Sequence, residues 1–297
     1  MTAPLYQPSV VKELLRAHGF TLKKQYGQNF LIDGRVLHAI VEEARSDAKS
    51  GKRLAALEIG PGVGTLTQAL VEAGFEKVVA LEKDRRLLPL LRETMRPYPQ
   101  VEVIAADALQ FDYPALFATD SGVWDYRFVA NLPYYITTPI VMMVLEAMLP
   151  IEKMVLMVQK EVAERMTSPP GGKTYGALSV AVQYYGEPRL LQTVPASSFL
   201  PNPGVDSAVV SIRIRPHPDA QGVDRQTFFR VVKGAFAQRR KTLNNALAGE
   251  FHNLSKGSLT EWVKLAGIDP SRRGETLSIR EFAALAHALH QAVQDGD

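Results

Sequence analysis

The feature that most constrains this chain is a glycine-rich run, residues 58–64 (EIGPGVG), between an apolar segment and a helical pattern. Residues 54–59 predict a buried strand, and residues 65–73 predict a helix. Glycines at such a junction let the backbone turn tightly and let a ligand approach the main chain. This order is typical of the first strand, turn and helix of an open α/β sheet.

The following hundred residues repeat the alternation of short β-branched runs and helical patterns. Further strands are predicted at residues 77–82, 101–105, 127–130 and 153–158, with helices over 85–95 and 138–148. Strands at this spacing with helices between them indicate a parallel, doubly wound sheet. Two later strands, residues 189–194 and 208–214, predict an antiparallel hairpin that closes the sheet.

The chain changes character after a short segment of linker composition, residues 216–219 (PHPD). Beyond it the pattern is helical, with helices predicted over residues 226–237, 241–248, 258–266 and 279–288. We therefore predict a Rossmann-like domain over residues 1–215, which includes an N-terminal extension, residues 1–25. A small, all-helical C-terminal domain is predicted over residues 216–297.

Composition excludes several classes of site and protein. The chain has no cysteine, which rules out disulfides, zinc–thiolate sites, iron–sulfur clusters and thiol nucleophiles, and its six histidines show no metal-ligand spacing. No metal is therefore expected. The longest apolar stretch, residues 139–151, is interrupted by Glu146 and is too short to span a bilayer. Because the N-terminus also lacks a signal-peptide pattern, we expect a soluble cytoplasmic protein without membrane contact.

Acidic side chains follow the glycine-rich run at the ends of the next two predicted strands. Glu82 can accept hydrogen bonds from both ribose hydroxyls, and Asp107 can lie beside an adenine edge. Ligands of open α/β sheets bind at this edge, so the three elements predict a nucleoside site. Thr65 stands where the dinucleotide-binding pattern has its third glycine, which argues against a pyrophosphate. S-adenosylmethionine therefore fits better than a nicotinamide cofactor.

A second motif, residues 131–134 (NLPY), follows the fourth predicted strand. The proline restricts the backbone, which holds Asn131 and Tyr134 in place. The Asn131 carbonyl and a nearby main-chain carbonyl can accept hydrogen bonds from an exocyclic amino group. Tyr134 offers a flat face on which a base can stack. The motif therefore predicts a pocket that presents a base amine to a methyl donor.

Seven motifs in order resemble one family across nearly the whole chain. They are residues 28–31 (QNFL), the glycine-rich run, 81–84 (LEKD), 107–108 (DA), 131–134 (NLPY), 199–203 (FLPNP) and 236–243 (FAQRRKTL). Together they resemble the KsgA family, the small-subunit (16S) ribosomal RNA adenine N6,N6-dimethyltransferases. The resemblance implies a Rossmann-like, S-adenosylmethionine-dependent methyltransferase sheet, mostly parallel with one antiparallel closing strand.

The resemblance also implies the substrate and the site residues. Two adjacent adenosines in the 3′-terminal hairpin loop of small-subunit rRNA would each receive two methyl groups, with S-adenosylhomocysteine as product. The implied cofactor-binding residues are Gln28, Asn29, Leu31, Gly60, Gly62, Glu82, Lys83, Asp107, Ala108 and Asn131. The implied catalytic residues are Asn131, Leu132, Pro133, Tyr134 and Phe199, with Tyr134 and Phe199 enclosing the target adenine. The expected partners are the small ribosomal subunit and its 16S rRNA, bound by a monomer.

Two basic segments have alternative interpretations. Arg239, Arg240 and Lys241 suit an RNA backbone or form a solvated helix face. The N-terminal extension, with Lys12 and Arg16, forms an RNA-touching helix or a solvated amphipathic one.

Two other functions compete with the small-subunit interpretation. One is a large-subunit rRNA adenine methyltransferase of the antibiotic-resistance type, and the other is a non-catalytic RNA-binding assembly or transcription factor. The RRKTL run argues against the first, and the intact NLPY motif argues against the second.

Overall fold

The computed structural model of the chain describes residues 3–20, 29–118, 122–218, 220 and 222–294. The chain divides into two compact units. The first unit comprises Met1–Ala163 and Arg189–Ile214, and the second comprises Glu164–Pro188 and Arg215–Asp297. The sequence prediction placed residues 164–188 in the first domain, and the structure groups them with the C-terminal helices instead.

The described residues form the following strands and helices. The strands are β1 (Phe30–Leu31), β2 (Arg53–Ile59), β3 (Lys77–Glu82), β4 (Val101–Ala105), β5 (Trp124–Asn131), β6 (Ile151–Gln159), β7 (Gly186–Val194), β8 (Phe199–Leu200) and β9 (Ser207–Ile214). The helices are α1 (Pro8–Ala17), α2 (Gly34–Arg45), α3 (Thr65–Glu72), α4 (Leu88–Met95), α5 (Tyr113–Ala118), α6 (Thr137–Glu146), α7 (Lys160–Thr167), α8 (Ala177–Tyr185), α9 (Arg225–Ala237), α10 (Leu243–Glu250), α11 (Lys256–Leu265) and α12 (Ile279–Gln294).

A seven-stranded sheet with the order β4-β3-β2-β5-β6-β9-β7 forms the centre of the first unit. The five strands from β4 to β6 pair in parallel, and β9 pairs with β6 in the antiparallel direction, Lys153 opposite Arg213. The predicted fold class, a mostly parallel sheet with antiparallel closure, is confirmed. The strand order reverses between β2 and β5, and ligands of open α/β sheets bind at such a switch point.

The burial of the central strands explains why they could be predicted from the sequence. Central residues of β2, β3, β5 and β6, such as Leu57, Val79 and Phe128, have no exposed surface. Strands buried on both faces are continuous apolar runs rather than alternating ones. The two-stranded antiparallel sheet of β1 and β8 was not predicted, because two-residue strands carry no periodicity. Helix α2 was not predicted either, although its apolar residues recur at helical spacing.

The amino end of β6 carries a buried lysine. The ammonium of Lys153 donates to the Glu43 carbonyl at 3.2 Å, to the Ser46 carbonyl at 3.0 Å and to Ser46 Oγ at 2.6 Å. Asp47 Oδ2 lies 3.3 Å from the same nitrogen. A buried charge is tolerated when it is paired and hydrogen-bonded, so this cluster ties the end of α2 to the sheet.

Side-chain contacts explain why residues 164–188 belong to the second unit. The Tyr175 hydroxyl donates to the Leu277 carbonyl at 2.9 Å, and the Tyr184 ring lies 4.6 Å from that of Phe228. Aromatic rings at this spacing bury large areas, so α8 packs with α9 in one core. No helix among the described residues is long and apolar enough to cross a membrane.

Candidate active site

A cavity of about 510 Å³ opens in the first unit where β2, β3 and β5 end. Most of the predicted site residues line it, namely Asn29, Leu31, Gly60, Gly62, Glu82, Lys83, Asp107, Ala108, Asn131, Leu132, Pro133 and Tyr134. The structure therefore brings together residues from five separate stretches of the sequence. Gln28, also predicted to bind the cofactor, lies outside the described residues.

The glycine-rich turn needs its glycines for two reasons. Gly60, Gly62 and Gly64 all have positive φ, at 68°, 64° and 91°. At Gly62 a Cβ atom would lie 2.9 Å from the Phe30 ring, and at Gly64 it would lie 2.6 Å from Met95 Cε. Side chains at these positions are strained and overpacked. The turn therefore presents bare backbone to the cavity.

Glu82 lies at the base of the cavity with its carboxylate held by the main chain. Its Oε1 accepts from the Asp84 amide at 2.7 Å, and its Oε2 accepts from the Gly62 amide at 3.3 Å. The residue is 6% exposed, and this burial raises the pKa of the carboxyl although backbone amides donate to it. The hydrogen bond to Gly62 links the end of β3 directly to the glycine-rich turn.

A second acidic residue, Glu58, lines the same cavity and was not predicted as a site residue. It is 1% exposed, and its Oε2 accepts from the Thr67 hydroxyl at 2.6 Å. Burial, with a smaller repulsion from Glu82, raises the pKa of Glu58 to about 8. The sequence did not identify Glu58, because an acidic residue near the end of a strand has the same pattern whether it is buried or faces solvent.

Lys83 and Asp107 form an ion pair at the rim of the cavity, with 2.7 Å between Lys83 Nζ and Asp107 Oδ2. The Leu109 amide donates to Asp107 Oδ1 at 3.1 Å. The bond from Lys83 and this amide lower the pKa of Asp107, so its carboxylate stays charged. Ala108 is fixed beside it, since its carbonyl accepts from the Tyr113 hydroxyl at 2.8 Å.

The NLPY turn leaves the sheet at the end of β5. The Asn131 side-chain amide donates from Nδ2 to the Asn29 carbonyl at 2.9 Å, which leaves Oδ1 as the acceptor of that side chain. The Leu132 amide donates to the Met157 carbonyl on β6 at 3.1 Å. The Pro133 carbonyl accepts from the Ile136 amide at 3.1 Å and closes a short 3₁₀ turn over Tyr134–Ile136.

Two neighbouring tyrosines of this turn differ in their surroundings. The hydroxyl of Tyr134 lies 2.7 Å from Ser207 Oγ, and partial burial raises the pKa of Tyr134. Tyr135 also lines the cavity, yet it is 69% exposed. Sequence reasoning missed Tyr135. The signal in the sequence that could have identified it is a second aromatic residue directly after the motif.

Phe199 is placed differently from the prediction. It was expected to enclose the adenine together with Tyr134, but it is not among the residues that line the cavity. The antiparallel pairing of β8 with β1 sets Phe199 opposite Leu31, and it is 3% exposed in a core cluster with Val194 and Val209. The pairing turns this ring into the core, so the structure corrects its predicted position.

The basic triplet lies in the second unit, in the turn between α9 and α10 rather than on a helix. Arg239 is engaged there: its Nε lies 3.1 Å from Glu275 Oε2, and its Nη2 donates to the Lys173 carbonyl. Arg240 and Lys241 are exposed. No cluster of three or more histidine or acidic side chains suited to a metal occurs among the described residues.

A sequence profile of the family described as "Ribosomal RNA adenine dimethylase" matches residues 19–291. The chain belongs to this family. It is 48% identical over 286 residues to a protein of Bacillus mycoides (strain KBAB4) named "Ribosomal RNA small subunit methyltransferase A", covering 95% of this chain and 96% of that one. A protein of Bacillus cereus (strain AH187) with the same name is also 48% identical over the same shares.

Two solved structures have the same fold as this chain. The 23S rRNA methyltransferase ErmE superposes with a TM-score of 0.66 at 27% identity, covering 89% of this chain and 100% of that one. A dimethyladenosine transferase from Plasmodium falciparum superposes with a TM-score of 0.73 at 24% identity, covering 89% and 98%, and shows the same fold. The predicted family and the predicted activity, that of an rRNA adenine dimethyltransferase, are confirmed.

Proposed function

We propose that this dimethylase family member uses S-adenosylmethionine to methylate N6 of two adjacent adenosines in the 3′-terminal hairpin loop of small-subunit (16S) rRNA. The observation that carries the proposal is the NLPY turn opening into the same cavity as the buried Glu82 carboxylate. One cavity then holds a nucleoside-binding carboxylate and an acceptor pair suited to an amino group.

The residues present fit S-adenosylmethionine. A volume of about 510 Å³ suits a cofactor of this size, and the wall includes bare glycine backbone. Glu82 retains lone pairs for two ribose hydroxyls, since a carboxylate has about four acceptor sites and the two amides use two. Glu58 keeps its proton below a pKa of about 8 and so adds no charge to the cavity at neutral pH, which leaves Glu82 as the buried acceptor for the cofactor.

The cofactor supplies a methyl group already activated by its sulfonium, so the chain needs to orient the amine rather than to activate it. Asn131 Oδ1 and the Leu132 carbonyl would accept from the adenine amino group and direct its lone pair. Tyr134, anchored through Ser207, would hold the base on its ring. Positioning of this kind can supply as much as about 7–11 kcal/mol of barrier reduction.

The RNA must present an unpaired adenosine, because N6 inside a duplex is out of reach of a cavity at strand ends. Flipping a base costs a few kcal/mol and costs least in a loop. Tyr135 would offer a second stacking face at the cavity mouth for a flanking base. Arg240 and Lys241 would contact phosphates, whereas Arg239 would first have to leave Glu275. We also propose that the protein acts as a monomer in the cytoplasm.

The small subunit is preferred because the Bacillus relatives at 48% identity carry a small-subunit name, whereas ErmE is 27% identical. The test is methyl transfer to small and large ribosomal subunits purified from a strain that lacks the modification. We expect label in the small subunit alone. Label confined to the large subunit would support the competing large-subunit function, and no label in either would support a binding protein.

A further inference from the structure

The N-terminal residues that precede the family match form an amphipathic helix whose polar side is exposed and whose apolar side is buried. Residues 3–18 lie before the matched region, which begins at residue 19. Leu5, Val11 and Leu15 are 5%, 0% and 3% exposed, so α1 is seated on the first unit by its apolar face. The two interpretations of this segment from the sequence concern its polar side, and the structure adds what its apolar side contacts.

The segment is hydrogen-bonded to the helix that follows the glycine-rich turn. The Leu5 amide donates to Gln68 Oε1 at 2.9 Å, and the Leu5 carbonyl accepts from the Thr65 hydroxyl at 3.0 Å. Thr65 begins α3 directly after Gly64 and lines the cavity. One backbone position of the N-terminal segment thus fixes the beginning of α3 from outside.

The same segment is packed against the helix that follows Glu82. Val11 and Leu15 share a buried cluster with Phe30 and Leu87, and both of these line the cavity. Near the end of α1, His18 Nε2 lies 3.1 Å from Glu93 Oε2 on α4. The segment therefore contacts both the glycine-rich side and the ribose side of the site, from the face opposite the cavity.

We propose that residues 3–18 are a positioning element for the cofactor, which sets the separation between the glycine-rich turn and Glu82. The inference rests on the proposed use of S-adenosylmethionine. The Gly62 amide and Glu82 Oε2 are 3.3 Å apart, at the long end of a hydrogen bond, so a small shift of either wall breaks their contact. Binding sites lose affinity when such supporting residues leave their geometry loose.

The test compares two neighbouring positions that receive the same residue on opposite faces of α1. Val11→Asp places a charge at a fully buried position and unseats the helix, whereas Lys12→Asp places it at an exposed one. We expect Val11→Asp to raise the Kd for S-adenosylmethionine by about tenfold or more, because it removes the packing that holds both walls of the site in place. Lys12→Asp should stay within about twofold of the wild-type Kd for S-adenosylmethionine.

A second pair separates positioning from general loss of stability. Leu15→Ala should raise the cofactor Kd. Val78→Ala changes a fully buried position at the amino end of β3, away from the cavity, and should lower Tm without raising the cofactor Kd. An unchanged Kd in folded Val11→Asp and Leu15→Ala would overturn the proposal. The proposal would also be overturned if Val78→Ala raised the cofactor Kd as much as Leu15→Ala does at the same Tm. If the wild-type chain fails to bind the cofactor, the proposed function is wrong instead.

Discussion

Replacing Glu82 tests the cofactor site most sharply, because the structure fixes what each carboxylate oxygen does. Each oxygen accepts one backbone amide, from Asp84 or from Gly62, and keeps lone pairs toward the cavity. Glu82→Ala removes the acceptors that we propose for two ribose hydroxyls. Hydrogen bonds to charged groups contribute about 1.5–3 kcal/mol each.

The net effect is smaller than the sum of two such bonds, because burial already penalises the charged carboxyl and raises its pKa. We therefore expect a loss of about 2–3 kcal/mol, which is a rise in Kd of roughly 30- to 150-fold. Glu82→Gln should not rescue binding. Its NH₂ group would face one of the two backbone amides, donor against donor.

The assay is isothermal titration calorimetry with S-adenosylmethionine, and the control is Glu102→Ala. Glu102 is an exposed carboxylate on the neighbouring strand, opposite Val79 and outside the cavity lining. The control should bind as the wild type does. Wild-type affinity in Glu82→Ala would refute the placement of the ribose, and full affinity in Glu82→Gln would refute the role of the two amides.

Three further outcomes follow from the structure. Tyr135→Ala should raise the KM for RNA about 5- to 150-fold, the range for a lost base–aromatic stack, and Tyr135→Phe should not; equal KM values in steady-state assays would rule out stacking. Lys153→Met should lower the free energy of unfolding by about 1–3 kcal/mol in urea titrations, since it leaves the Ser46 carbonyl and hydroxyl without their donor while Glu43 keeps Arg189; an unchanged free energy would show the cluster to be dispensable. Folded Glu58 keeps its proton up to a pKa of about 8 while the unfolded residue loses it near 4.5, so stability falls as pH rises through that window. Glu58→Gln should remove a slope of at most about 1.4 kcal/mol per pH unit, and an unaltered slope would contradict the raised pKa.

The sequence allowed the sheet and most of the cavity to be predicted for one physical reason. Parallel strands end at the same edge, so residues that follow successive strands, such as Gly60, Glu82 and Asn131, converge without knowledge of packing. Two strands begin and end as predicted, the buried β3 and the partly buried edge strand β4.

The remaining features depend on contacts between segments distant in the sequence. Helix α1 carries Lys12 and Arg16 on one side, and this pattern predicts contact with solvent or RNA. Its apolar side packs against α4, which the sequence of α1 alone does not indicate. The place of Phe199 depends on a two-residue strand pair, and that of Tyr175 on a hydrogen bond to Leu277. Neither contact leaves a periodic trace in the chain.

The central claim is that the NLPY turn directs methyl transfer to adenine N6. It is tested most directly by counting N6,N6-dimethyladenosine per small subunit, using mass spectrometry of nucleoside digests after reaction with each variant. We predict two dimethyladenosines per particle with the wild-type enzyme and with Asn253→Ala, an exposed asparagine of the second unit. We predict close to none with Asn131→Ala, even at saturating S-adenosylmethionine. Dimethylation by Asn131→Ala at the wild-type rate would contradict the account.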